Sequence, residues 1–74
     1  MKLGKYIHSK TGKKYEVIGI AHHSEDLSEL VVYKALYDSK EFGKDSLWVR
    51  PKEMFEELVE IDGELKPRFV YLEE

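Results

Sequence analysis

Short apolar runs interrupted by turn-forming residues make up the first fifty positions of the chain. β-Branched and aromatic side chains dominate these runs, which is typical of β-strands. The pattern therefore predicts strands over residues 3–8, 15–22, 30–37 and 47–50. The polar stretch 38–45, which contains Gly43, is predicted to be an exposed loop.

The period of the pattern changes at Pro51. Proline is favoured in the first turn of a helix, so we expect one or two helical turns within residues 51–58. The dipeptide Asp62-Gly63 then predicts a hairpin turn, because both residues tolerate the positive φ that such turns need. Its returning strand is predicted to run through residues 66–72.

These elements together predict a mainly β fold. A small antiparallel SH3-like barrel of five to six strands fits best, with one short helical turn before the last hairpin, because closing a sheet removes its exposed edges. The chain has 74 residues, which suffices for one domain, so residues 1–74 are predicted to form a single β-barrel domain. A split β-sheet covered by one helix is the alternative fold.

Strand parity predicts which side chains reach the core, because alternate residues of a strand face opposite sides. Glu16 and Lys34 mark the solvent faces of the second and third strands. The positions predicted to point inward are Tyr15, Val17, Gly19 and Ala21 in one strand and Val31, Tyr33, Ala35 and Tyr37 in the next.

The opposite faces of these two strands also carry several aliphatic side chains. They are Ile18, Ile20, Leu30, Val32 and Leu36. A contiguous apolar surface left open marks an interaction site. Either the rest of the chain covers this surface, or a second copy of the chain covers it in a homodimer.

The fourth strand carries the candidate recognition residues. Leu47 and Val49 are predicted to enter the core, which leaves Trp48 and Arg50 side by side near solvent. An indole offers a wide aromatic face, and a guanidinium offers a fork of donors for a carboxylate or a phosphate. The alternative is that Trp48 fills the barrel and Arg50 caps a local carbonyl group.

Composition restricts the chemistry. The formal net charge is −3, which disfavours binding to nucleic acids, and the absence of cysteine excludes disulfides and thiolate metal sites. Neither the histidine spacing nor the serine contexts match a metal site or a nucleophile elbow. The sequence therefore predicts no enzymatic activity, no metal and no cofactor. It also predicts no membrane helix and no signal peptide.

Several strings occur in a familiar order. They are Tyr6-Ile7-His8, Tyr15-Glu16-Val17-Ile18-Gly19-Ile20-Ala21, His23-Ser24-Glu25, Leu30-Val31-Val32-Tyr33-Lys34-Ala35-Leu36-Tyr37, Leu47-Trp48-Val49-Arg50-Pro51, Met54-Phe55 and Pro67-Arg68-Phe69. Together they resemble a small, mostly bacterial family, domain-of-unknown-function family 1653, from about Lys5 to Tyr71. The resemblance implies a stand-alone cytoplasmic SH3-like β domain with no assigned reaction, cofactor or partner. Two departures are the longer segment 38–45 and His22, which stands where arginine is usual.

The leading hypothesis is a non-enzymatic binding module that recognises a peptide or protein segment or a small anionic ligand. The predicted ligand-binding residues are Trp48, Arg50, His8, His23 and Arg68. One alternative is a structural or dimerising protein that uses the apolar strand face. Another is a nucleic-acid or nucleotide binder that uses Arg50, Arg68 and the N-terminal lysines.

Overall fold

A computed structural model describes residues 1–73 of the chain. Antiparallel strands make up most of these residues, and one short helix interrupts them. The elements are β1 (Gly4–His8), β2 (Lys14–His22), β3 (Glu29–Ala35), β4 (Asp38–Ser39), β5 (Gly43–Lys44), β6 (Leu47–Pro51), α1 (Lys52–Phe55), β7 (Leu58–Ile61), β8 (Glu64–Pro67) and β9 (Phe69–Tyr71).

Five strands form one sheet in the order β6-β3-β2-β1-β9, with antiparallel neighbours throughout. β4 pairs with β5 and β7 pairs with β8 in two separate hairpins. The predicted mainly β class and the short helix before the last hairpin are confirmed. No closed barrel is found within residues 1–73.

The turn signals of the sequence are found where they were expected, with one exception. Asp62 and Gly63 connect β7 to β8 with φ angles of 51° and 80°, as a type I′ hairpin turn requires. α1 begins directly after Pro51. The segment 38–45 is not a plain loop, because it contains the β4–β5 hairpin with Gly43 at a φ of 76°.

The core lies on one side of the five-stranded sheet, here called the inner face; the opposite side is the outer face. Phe55 of α1 covers the inner face and stacks on Phe69 with ring centroids 4.1 Å apart. Because α1 is only four residues long, the burial of Phe55 is what holds it to the sheet. The buried residues are Tyr6, Val17, Val31, Tyr33, Ala35, Phe55, Val59 and Phe69.

A bulge in β2 corrects the predicted inward set. The pairing of β2 with β3 shifts between Val17 and Gly19, so that Ile20 pairs with the buried Val31. Paired residues place their side chains on the same face, so Ile20 belongs to the inner face. Gly19 and Ala21, predicted to point inward, belong to the outer face, because one inserted residue reverses the alternation.

The predicted apolar surface is therefore not a single face. Leu30 and Val32 lie on the outer face, whereas Ile20 lies on the inner face. Ile18 is half-exposed within the bulge, and Leu36 follows the end of β3. The homodimer stays a prediction, but Ile18, Ile20, Leu30, Val32 and Leu36 do not form one continuous surface.

β6 reverses the predicted sidedness. Trp48 pairs with the buried Tyr33 and packs against the core, and Arg50 lies two residues further along the same face. Leu47 and Val49, predicted to be core residues, are 66% and 60% exposed on the outer face. Hydrophobicity did not decide the orientation, because both faces of β6 carry apolar side chains and the larger indole fills more of the core.

Candidate functional site

Arg50 lies on the inner face with its charged group above an aromatic ring. Its Cζ atom is 5.9 Å from the ring centroid of Phe69, a cation–π contact. Arg50 belongs to one edge strand of the sheet and Phe69 to the other, so the Arg50 side chain reaches across the inner face towards the opposite edge strand. Within residues 1–73, the Arg50 guanidinium donates no hydrogen bond and forms no ion pair.

His8 borders the same ring. Its imidazole meets Phe69 edge-on with centroids 4.9 Å apart. The Nδ1 atom of His8 accepts hydrogen bonds from the backbone N–H groups of Lys10 and Thr11 at 3.2 Å and 3.4 Å. The neutral ring therefore carries its proton on Nε2, which makes Nε2 a donor.

Three cationic residues act electrostatically on His8. Burial lowers the pKa of His8 below its usual 6.5, and the charges of Arg68, Arg50 and Lys10 lower that pKa further, in that order. His8 is consequently neutral at physiological pH. Both guanidinium groups are near enough to oppose its protonation.

Arg68 has a partly satisfied guanidinium. Its Nη2 atom donates to Glu57 Oε1 at 3.1 Å, whereas its Nε atom is buried and has no partner within residues 1–73. A buried N–H donor without an acceptor costs about 1–3 kcal/mol, so an acceptor supplied from outside would remove a penalty. Arg50, Arg68 and His8 together are called the donor cluster below, because their free polar atoms are all N–H donors.

Trp48 extends this surface towards the β4–β5 hairpin. Its Nε1–H donates to Ser46 Oγ at 2.9 Å, so the indole N–H is satisfied by the residue that directly precedes β6. Phe42, an exposed residue of the hairpin, meets the indole edge-on with centroids 4.9 Å apart. Trp48 and Arg50 are therefore neighbours on one face, as predicted, but that face is the inner one.

A tyrosine pair that the sequence analysis assigned to the core also borders the donor cluster. The Tyr15 and Tyr37 hydroxyl oxygens are 3.1 Å apart, and Lys13 Nζ lies 4.6 Å from the Tyr37 ring centroid. Burial and the hydrogen bond with Tyr37 raise the pKa of Tyr15, so the hydroxyl stays protonated. Parity placed both tyrosines inward correctly, but nothing in the pattern showed that they are only half-buried there.

His23 lies in a different part of the fold. Its Nδ1 atom accepts the backbone N–H of Glu25 at 3.1 Å and lies 3.7 Å from Asp26 Oδ1, within the turn that joins β2 to β3. β2 runs for nine residues between the donor cluster and this turn, about 30 Å at the usual rise of a strand. His8, Arg50, Arg68 and Trp48 are brought together, and His23 is not.

Two kinds of feature are absent from residues 1–73. No group of three or more His, Asp or Glu side chains is arranged to hold a metal ion in this part of the chain. Within the same residues, no helix is long and apolar enough to span a membrane.

A shallow depression elsewhere is lined by acidic residues. Glu29, Glu53 and Glu56 border it, and Lys52 neutralises one of them through a 3.0 Å contact with Glu56. This depression lies beside α1 and lacks the free donors of the inner face. The donor cluster is therefore the better candidate for ligand recognition.

Fold and site together define a small antiparallel β domain with an aromatic, donor-rich inner face. The profile of the family described as "Protein of unknown function (DUF1653)" matches residues 4–71. The chain belongs to this family, which confirms the resemblance found in the sequence.

One solved structure is similar over nearly the whole chain. It is the crystal structure of a protein belonging to DUF1653 from Bordetella bronchiseptica, which is 30% identical and has a TM-score of 0.84. The similarity covers 97% of this chain and 87% of that one. No curated protein matches the chain.

Proposed function

We propose that the chain is a non-enzymatic binding module that receives an anionic group on its inner face. The observation that carries this proposal is the Arg50 guanidinium, which sits over Phe69 with no oxygen acceptor within residues 1–73. A guanidinium has five N–H donors in a planar fork that matches a carboxylate or a phosphate. An anion beside Arg50 would complete hydrogen bonds that the fold leaves open.

The surroundings of Arg50 support an anion over a cation or a neutral group. The buried Arg68 Nε–H and the His8 Nε2–H are further donors, and the tyrosine hydroxyl pair adds one more, because one of its two protons is engaged in the hydrogen bond between the hydroxyls. Among residues 1–73, the acidic side chain that pairs with the donor cluster is that of Glu57, and it pairs with Arg68. Electrostatic attraction is strengthened by the aromatic surroundings, because they lower the local dielectric constant.

The experiment is a titration of the ¹⁵N-labelled chain with acetate, benzoate and inorganic phosphate, followed by NMR. Wild type is compared with Arg50→Gln and with the control Lys34→Gln, which removes a charge from the outer face of β3. We expect Arg50→Gln to lower the affinity for the tightest-binding probe by about tenfold or more, and Lys34→Gln to change that affinity by less than about twofold. Equal affinities in wild type and Arg50→Gln would refute the proposal.

We also propose that the sheet and the β7–β8 hairpin form an SH3-like arrangement. The meeting of Arg50 from one edge strand with Phe69 from the other supports this arrangement, because such a contact needs a strongly curved sheet. The position of α1 before the last hairpin also fits it.

Self-association through the outer face is the second candidate. Leu47 and Val49 are largely exposed there, beside the half-buried Val32 and Leu30. Sedimentation at several concentrations tests this candidate. A chain that stays monomeric at high micromolar concentration would remove it.

A further inference from the structure

Within residues 1–73, β6 is an edge strand whose outward backbone groups meet no other strand. It pairs with β3 on one side only. The backbone N–H of Ala35 donates to the Ser46 carbonyl at 2.9 Å, which fixes the phase of this ladder. Because successive residues of a strand direct their N–H and C=O groups to opposite sides, Leu47 and Val49 direct theirs away from β3.

The outward backbone N–H and C=O groups of Leu47 and Val49 are called the β6 edge below. Within residues 1–73, no backbone hydrogen bond from another element reaches them. Such an edge accepts an added strand through main-chain hydrogen bonds. β9, the other edge of the sheet, is only three residues long and offers less to a partner.

The side chains of β6 specify the chemistry of a strand added there. A new antiparallel strand would lie about 4.8 Å from β6, with side chains opposite those of β6 on each face. On the inner face its residues would meet Trp48 and Arg50, and on the outer face they would meet Leu47 and Val49. The complementary strand therefore carries an acidic side chain opposite Arg50, an aliphatic one opposite Val49 and an aromatic one opposite Trp48.

A second copy of β6 fits this edge less well. Antiparallel self-pairing centred on Val49 would place Arg50 of each copy opposite Trp48 of the other. The segment Leu47–Pro51 contains no acidic residue, so both guanidinium groups would still lack an acceptor. Pro51 would also contribute no N–H to the new ladder.

We propose that the β6 edge binds an extended polypeptide segment by strand addition, and that an acidic side chain of this segment binds the Arg50 guanidinium. This inference rests on the proposed function, since it names the carrier of the anion. A bound segment would form main-chain hydrogen bonds with the β6 edge, which a free small anion cannot form. The partner is therefore a protein or peptide with the order acidic, aliphatic, aromatic.

The test uses the peptide acetyl-Thr-Glu-Val-Phe-Thr-amide and the ¹⁵N-labelled chain. In antiparallel pairing the peptide Glu lies opposite Arg50, and the peptide Val exchanges main-chain hydrogen bonds with Val49. N-Methylation of the peptide Val removes one of these bonds, and N-methylation of the peptide Phe modifies an N–H that points away from β6. The Phe-methylated peptide is the matched control.

We expect peptide addition to shift the amide signals of Leu47 and Val49. Methylation at Val should weaken binding by about tenfold or more, and methylation at Phe by less than about threefold. Peptide Glu→Gln and Arg50→Gln should each weaken binding by about tenfold, with little further loss when they are combined. That non-additivity identifies the two groups as partners.

A variant of the chain tests the same edge from the other side. Val49→Pro removes an N–H that does not bond to β3, so the ladder of β6 with β3 stays intact. We expect this variant to fold and to lose the peptide while keeping its affinity for benzoate. The methylated peptides provide the test if the variant does not fold.

The outcomes separate this inference from the proposed function. Peptide binding that depends on Arg50 but not on methylation at Val would overturn strand addition and leave the anion site standing. Affinity for every probe that is unchanged in Arg50→Gln would overturn both. A dimer in which the Leu47 and Val49 amides are protected from exchange would also overturn the inference, because a second copy would then occupy the edge.

Discussion

The opposite orientation of two valines on neighbouring strands gives a direct stability test of the fold. Val31 on β3 is fully buried, with 0% exposure, and Val49 on β6 is 60% exposed. We compare Val31→Ala with Val49→Ala. The two substitutions remove the same atoms, in one case from the internal strand β3 and in the other from the edge strand β6.

The expected losses follow from these burials. At about 0.8 kcal/mol for each buried methyl or methylene group, Val31→Ala loses about 1.6 kcal/mol of transfer free energy. The cavity that it leaves raises the cost to about 2–3 kcal/mol. Val49 buries only about two-fifths of its surface, so its truncation should cost about 0.6 kcal/mol. A domain of this size has about 4–11 kcal/mol of stability, so both variants should fold.

Urea unfolding followed by circular dichroism measures the two costs. With a slope of about 1 kcal/mol per molar for a small domain, the midpoint should fall by about 2–3 M for Val31→Ala and by about 0.6 M for Val49→Ala. A larger loss for Val49→Ala than for Val31→Ala would refute the orientation of β6. It would mean that Leu47 and Val49 face the core and that Trp48 and Arg50 do not.

Three further predictions test other parts of the structure. Phe55→Ala should lower the free energy of unfolding in urea by about 3–5 kcal/mol, because Phe55 is 2% exposed and stacks on Phe69. Met54→Ala on the same helix should cost less than about 0.5 kcal/mol. Similar costs would mean that α1 does not depend on Phe55. Gly63→Ala should cost about 1–2 kcal/mol, because its φ is 80°, and an unchanged midpoint would show that the turn tolerates another conformation. Burial and two neighbouring guanidinium groups lower the pKa of His8, so the unfolded chain binds this proton more readily. The contribution of His8 to the free energy of unfolding should therefore be fully present above about pH 6.5 and be lost as the pH falls through the folded-state pKa. His8→Asn should remove this pH dependence, and an identical pH profile in that variant would contradict the assignment.

Local signals predicted the turns and the class of fold because they depend on a few adjacent residues. Asp62-Gly63 specifies its hairpin by conformational preference alone, and Pro51 directly precedes the helix that it was predicted to begin. The order of several short strings along the chain also identified the family correctly. None of these inferences needed knowledge of which residues meet across the sheet.

The face to which a strand residue directs its side chain could not be predicted where that face depends on pairing with a distant strand. In β2, a single bulge after Val17 moves Ile20 to the inner face. Gly19 is a signal for it, since glycine inside a strand often marks a bulge, but glycine alone does not fix how the pairing shifts. In β6, the alternatives Leu47 with Val49 or Trp48 with Arg50 are both compatible with a hydrophobic core. The choice follows from the register with β3, which the sequence of β6 does not contain.

The candidate site was predicted by residue type and corrected by topology. Arg50, His8 and Arg68 were all named from the sequence; in the fold, Arg50 and His8 both contact Phe69, and the charges of Arg50 and Arg68 both act on His8. His23 belongs to the same family pattern but lies in the β2–β3 turn. Its side chain bonds to that turn, which is a structural role.

The pKa of His8 in the presence and absence of benzoate tests the central claim most directly. An anion held between Arg50, Arg68 and His8 would favour the protonated imidazole, so a large excess of benzoate should raise the pKa of His8 in wild type and raise it much less in Arg50→Gln. The pKa can be followed through the ¹H and ¹³C signals of the ring. A pKa of His8 that is the same with and without benzoate would contradict the proposal that this face receives an anion.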